Sequence, residues 1–410
     1  MDFNTKLQNY AELVVKSGLN LQKGQELLIY APISAAPFVR LVTEKAYQAG
    51  AKLVTFDWAD EALSKMKYTH CDMDVFENVP EWYALMDNSI AERGGAILSI
   101  TSSDPNALKG IDPKKITAWR KAEYKACKPF YDGMDMGRNV WCIVGVPSAG
   151  WAKAVFPDCG EDEAVEKLWE AIFHTVRVDQ ADPIAAWAEH KRSFAERTRI
   201  LNEKQFDTLT YHNSTGTDIT IGLPENHVWA GGGDLTVGGT YFFPNMPTEE
   251  IFCSPHRDRV NGTVHSSMPL NYSGSVIDDF SLTFRDGVIV DYSAAEGYDV
   301  LKSIIETDEG STRLGEVALV PKKSPISEMG LLFLNTLYDE NASCHFAIGI
   351  GFPECLQGGR DMTEEEFAAR GINVSAAHVD FMLGTDDLSI VGRQKDGTEF
   401  VLFRDGNWAF

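Results

Sequence analysis

The sequence has no apolar run long enough to span a bilayer. Its longest runs, near residues 140–146 and 346–352, are strand length, well short of the roughly 18–20 residues a membrane helix needs. Cysteine is sparse and scattered. The seven residues are odd in number and include no CxxC pair, so neither a zinc ribbon nor a disulfide framework is expected, and a reducing cytoplasm fits best. Positive charge is also short: 37 Lys and Arg stand against 60 Asp and Glu, a formal charge of −23. Such a chain repels nucleic acid backbones, while its negative field favours cationic ligands, including metal ions and free amino termini. No GxGxxG follows the first expected strand and no GxxxxGK[ST] occurs, which leaves dinucleotide and P-loop roles without support. The first residues lack a basic region followed by an apolar block, so no secretory signal is expected.

What is present is a long chain with ordinary soluble composition. At 410 residues and 44% hydrophobic content it exceeds one ordinary core, and two domains are expected, 1–195 and 196–410. In the first, helix-period segments at 3–17, 35–48, 80–93, 113–131 and 162–176 alternate with strand-like runs at 26–30, 51–58, 96–101 and 139–146. That alternation predicts an α/β domain with a mainly parallel sheet. Asp182 and Pro183 open a further helix over 182–200 that bridges the domains. Beyond it, short strands and Gly, Asn or Asp turns dominate, with one helix expected over 295–308. Arg285–Asp286–Gly287 reads as a hairpin turn. The second domain is therefore expected to be α+β and rich in antiparallel strands. The glycine-dense segment Gly231–Gly232–Gly233 lacks a strand–helix context and reads as a mobile loop.

Candidate chemistry gathers in the second half. Glu249 and Glu250 stand side by side in PNMPTEEIFCSP, between prolines that interrupt regular hydrogen bonding. Adjacent carboxylates repel unless protons or a cation neutralise them, although a solvated acidic turn would also account for them. Glu316 is the one acid in the apolar run LGEVALVP, and burying it unpaired would cost several kcal/mol. His345 opens the run HFAIGIGF. His378 and Asp380, two apart on an expected strand, project to the same face. A His–Asp hydrogen bond is the plain reading of that pair, and a strand-end ion pair the plain reading of Glu316. Together, Glu250, Glu316, His345, His378 and Asp380 offer three carboxylates and two imidazoles, a set suited to a pair of Zn²⁺, Co²⁺ or Mn²⁺ ions. Spacing alone does not establish the set.

Several long stretches, in order, carry a resemblance: PNMPTEEIFCSP, DRVNGTV, LGEVALVP, SPIS, NTLYDENASCHFAIG, AHVDFMLG and the terminal FRDGNWAF. With QKGQELLIYAP near the start, they make the whole chain resemble the metallo-aminopeptidases that include aminopeptidase T, aminopeptidase S and aminopeptidase II. The resemblance implies a homodimeric, two-metal exopeptidase that acts on peptides with a free N-terminus. It places the metal ligands at Glu250, Glu316, His345, His378 and Asp380. A two-metal mechanism would further need a bridging carboxylate, for which Glu316 is one candidate, and a proton carrier outside the ligand set, for which Glu249 is a candidate. One position departs: the family usually has a tyrosine where this sequence has Phe352, which can neither donate a hydrogen bond nor touch a metal. Two other readings follow from that departure and from the donor set: a catalytically silent metal- or peptide-binding homologue, and a metal-dependent hydrolase of another amide or ester.

Overall fold

A computed structural model describes residues 1–272 and 275–410. The chain divides into two units, Met1–His190 with Gly233–Pro247, and Lys191–Gly232 with Thr248–Phe410. The boundary falls inside the helix Pro183–Lys204.

The first unit is α/β. Its strands β1 (Glu26–Pro32), β2 (Leu53–Ala59), β3 (Ala96–Thr101) and β4 (Trp141–Gly145) pair in parallel in the order β4-β3-β1-β2. The central strands are nearly continuous apolar runs because helices cover them: Leu27, Leu28 and Ile29 of β1 and Ala96, Ile97 and Leu98 of β3 are all buried. The helix Ala36–Ala49 ends where Gly50 turns left-handed. The expected helix over 113–131 is instead two, Pro113–Ala126 and Lys128–Asp135, broken at Cys127. Pro129 supplies the reason, since it has no N–H to continue the first helix and sits in the opening turn of the second. Two residues from far along the chain, Asn245–Met246 (β10), add a parallel strand beside β4.

The second unit is antiparallel among its described residues. One sheet comprises β7 (Ala230–Gly231), β11 (Ile251–Cys253), β16 (Leu314–Leu319), β17 (His345–Gly349) and β18 (His378–Met382), in the order β18-β17-β16-β11-β7. A larger sheet includes β5 (Thr208–His212), β6 (Asp218–Gly222), β12 (Val260–His265), β14 (Ser275–Arg285), β15 (Val288–Glu296) and β19 (Ser389–Arg393). The two sheets share a core. Leu209, Tyr211, Ile219, Val260 and Leu282 from the larger one meet Ile251, Val317, Leu319, Phe346 and Phe381 from the smaller. Tyr211 packs edge-on against Phe346 with ring centroids 5.0 Å apart.

The hairpin turn at Asp286–Gly287 forms as expected, with positive φ at both residues. The helix expected over 295–308 is shorter, Tyr298–Ile305, because β15 runs on to Glu296 against β14. The glycine-dense segment is also corrected. Ala230–Gly231 is an edge strand on β11, with Gly231 opposite Ile251. A Cβ on Gly231 would lie 2.4 Å from the Glu250 carbonyl oxygen, so the glycine permits close backbone approach.

Candidate metal centre

The smaller sheet has two chemically different faces. Side chains alternate along a strand, and paired residues on neighbouring strands share a face. Phe252 pairs with Ala318, Ala318 with His345, Glu316 with Ala347, Ala347 with Asp380, and Gly349 with His378. Phe252, Glu316, His345, His378 and Asp380 therefore stand on one face. The alternate residues Cys253, Val317, Leu319, Phe346, Ile348, Val379 and Phe381 fill the apolar core on the other. A register irregularity between Leu314 and Glu316 marks where β16 enters this arrangement.

The polar face converges. Ligand atoms of Glu250, Glu316 and His345 lie within 4.8 Å of one another, as do those of Glu316, His378 and Asp380, so Glu316 belongs to both groups. His345 Nε2 is 3.2 Å from Glu250 Oε2. His378 Nε2 is 3.2 Å from Glu316 Oε2 and 3.1 Å from Asp380 Oδ1. Each imidazole is turned by its other nitrogen: His345 Nδ1 lies 3.0 Å from the Ser343 carbonyl, and His378 Nδ1 lies 3.1 Å from that of Ile350. Such contacts fix the tautomer and leave Nε2 as the atom offered to the cluster. Glu250, Glu316 and His345 are buried, whereas His378 and Asp380 are half-buried.

The protonation balance shows what the cluster needs. Burial alone would lower the His345 pKa, but the contact with Glu250 and the charges of Glu316 and Asp380 outweigh it and carry it up to about 10. Burial likewise opposes a charged His378, and Asp380 and Glu316 overcome it and raise its pKa well above the ordinary value. Burial raises the Glu316 carboxyl, and the Glu250 and Asp380 charges add to this against His378. For Asp380 burial also acts upward, but His378 dominates and lowers it. The carboxylates of the cluster thus favour positive charge at both imidazoles. The donor set fits divalent cations: carboxylate oxygens and imidazole nitrogens converge on shared space. Asp380 Oδ1 is buried there, with His378 Nε2 at 3.1 Å beside it.

Glu249 is in neither group. It is buried, its N–H donates to Asn341 Oδ1 at 2.6 Å, and its carboxylate charge acts on Arg197. Asn341 also donates from Nδ2 to the Leu337 carbonyl, which ties the Glu249–Glu250 segment to the turn ahead of His345. That turn carries a carboxylate the sequence reading passed over. Glu340 is half-buried and accepts from Asn341 Nδ2 at 3.4 Å; burial raises its pKa well above the ordinary value, and the charges of Glu250 and Asp380 act in the same direction. The available signal was an acid in NTLYDENASCH, five residues before His345 in a stretch otherwise read only for its histidine. Phe352 has its ring 4.9 Å from that of His378 and 5.4 Å from that of Phe252, and its N–H donates to the buried Ser254 Oγ at 2.8 Å.

Residues 3–408 match the family described as Thermophilic metalloprotease (M29). Aminopeptidase 2 of Geobacillus stearothermophilus is 48% identical over 405 residues, covering 99% of this chain and 98% of the relative. Aminopeptidase AmpS of Bacillus subtilis is 47% identical, covering 100% of this chain and 99% of its own length. The solved structure of wild-type AmpT from Thermus thermophilus superposes with a TM-score of 0.93 at 41% identity, each chain covered in full. The chain belongs to the thermophilic metalloprotease family.

Proposed function

We propose that this thermophilic metalloprotease is an aminopeptidase that releases N-terminal residues from peptides and holds two divalent ions on the polar face of its smaller sheet. One ion is assigned to Glu250, Glu316 and His345, the other to Glu316, His378 and Asp380, with Zn²⁺, Co²⁺ and Mn²⁺ all compatible with the donors. The observation that carries this reading is the sharing of Glu316 between two ligand groups on one sheet face. Divalent ions held there would polarise a scissile carbonyl, acidify a water molecule and accept the free α-amine of a substrate.

The protein's own groups do the rest. The Ser343 and Ile350 carbonyls hold the two imidazoles in orientation. The apolar face beneath keeps the ligand-bearing strands from shifting, because a close-packed core resists displacement. Glu316 spans the two groups. Transfer of a proton to the leaving amine needs a carboxylate free of the ligand set. Glu249 was the residue expected for this, and Glu340 is a further candidate because the charges of Glu250 and Asp380 act on it. On this reading the chain acts as a homodimer, as the family resemblance of its sequence implied, and in the cytoplasm, which seven free cysteines suit. No described helix is long and apolar enough to cross a membrane.

The test compares metal-loaded and chelated protein on leucyl- and arginyl-p-nitroanilide and on an N-blocked peptide. Cleavage restricted to free N-termini, lost on chelation and lost in Glu250→Ala, Glu316→Ala and His345→Ala while the variants stay folded, is the expected result. Retained activity in any of the three refutes the ligand set.

A further inference from the structure

We infer that Phe252 and Phe352 form an apolar subsite beside the metal centre that selects substrates with a bulky apolar N-terminal side chain. The inference rests on the aminopeptidase reading and narrows it to a substrate class. Phe252 stands on the polar face of the smaller sheet, two residues past Glu250 and opposite Ala318 of β16. The face otherwise carries carboxylates, imidazoles and alanines, with Met382 opposite His345 as a further apolar side chain. Phe352 meets it edge-on, with centroids 5.4 Å apart at an interplanar angle of 68°, and lies 4.9 Å from the His378 ring. The two phenyl rings thus form a wall that reaches the half-buried ligand group.

Both rings remain partly exposed, while Ile251 and Cys253, the strand neighbours of Phe252, are fully buried. Partial exposure of two contiguous aromatic rings beside a polar cluster leaves apolar area for a substrate to cover. The wall is held in place. Ser254 Oγ, fully buried, accepts the Phe352 N–H at 2.8 Å, and Phe352 opens the short turn Pro353–Cys355. A substrate with its α-amine at the ligand cluster presents its first side chain within a few ångströms of that amine, close enough to meet a ring that touches His378. Phenyl walls reward an aliphatic or aromatic side chain by apolar burial and offer a cationic one only the smaller cation–π attraction, with no counter-charge from the rings.

The experiment measures kcat/KM of the metal-loaded full chain for leucyl-, phenylalanyl-, alanyl- and lysyl-p-nitroanilide. It is repeated in Phe252→Ala and Phe352→Ala and in the milder Phe252→Leu and Phe352→Leu, with circular dichroism to verify folding. The wild type is expected to favour leucyl over alanyl substrate by about 10-fold or more, the scale at which hydrophobic pockets discriminate. The alanine variants are expected to lower that ratio several-fold through KM, and the leucine variants to restore most of it. A wild type that is indifferent to side-chain size or prefers the lysyl substrate overturns the subsite. So do variants in which all substrates fall by one common factor. Failure of the wild type to cleave any of the four would instead refute the aminopeptidase reading itself.

Discussion

His345 and His227 are buried to nearly the same degree, 1% and 2% exposed, yet their protonation runs in opposite directions. His345 is carried up to about 10, whereas burial pushes His227 down to about 4, with the Pro224 carbonyl as its partner. Burial is common to both, so the difference lies in what faces the ring. His227 meets a backbone carbonyl and the edge of Trp229, and stays neutral. His345 meets carboxylates, and only added positive charge makes their assembly tolerable. The contrast separates an imidazole held by a backbone carbonyl from one surrounded by carboxylates.

Removing the shared carboxylate should break the contrast most completely. Glu316→Gln is expected to reduce bound metal from two ions per chain to one or none, measured by elemental analysis, and to bring peptidase activity to background. Glu250→Ala and His345→Ala should have the next largest effect, confined at first to the buried half. Chelator competition sharpens the difference between halves. Metal release is expected in two phases, the faster from the half-buried group, with His378→Ala abolishing the fast phase and His345→Ala the slow one. A single phase in all three proteins would contradict two separate sites.

A smaller, more discriminating effect concerns the two carboxylates outside the ligand set. Glu340→Gln is expected to lower kcat more than Glu249→Gln, because the Glu250 and Asp380 charges act on Glu340 while the Glu249 charge acts on Arg197. Equal losses would return Glu249 to the role the sequence suggested for it. The smallest effect belongs to His227. Its folded pKa lies below the ordinary 6.5, so the unfolded chain binds the extra proton. Stability from the neutral ring is complete above about pH 6.5 and declines as pH falls toward 4, by about 3 kcal/mol at most. Denaturant unfolding of His227→Gln should lose that segment of the pH dependence and keep the rest.

The parallel α/β half was legible because its signals are local: apolar runs of strand length separated by helical periods, with Gly50 and Asp182 marking ends. The antiparallel half was legible as a class for the same reason. What the sequence could not supply was register. Nothing in HVDFM or LGEVAL says that Ala347 will stand between Glu316 and Asp380, yet that pairing puts both carboxylates on one face. Pairing between distant strands is settled by the core they bury, which single-strand patterns do not encode. Glu340 was missed because its position depends on a turn rather than on a period. The Gly231 segment was misread because glycine marks both a loop and a place where two backbones touch.

The contact between Gly231 and the Glu250 peptide offers a graded control over cation affinity. A methyl group added at Gly231 would collide with the Glu250 carbonyl and force the two backbone segments apart, moving one donor without altering its chemistry. Substitutions of increasing size there would act as a rheostat on ion retention, leaving every donor atom in the sequence and changing only the distance over which it must reach.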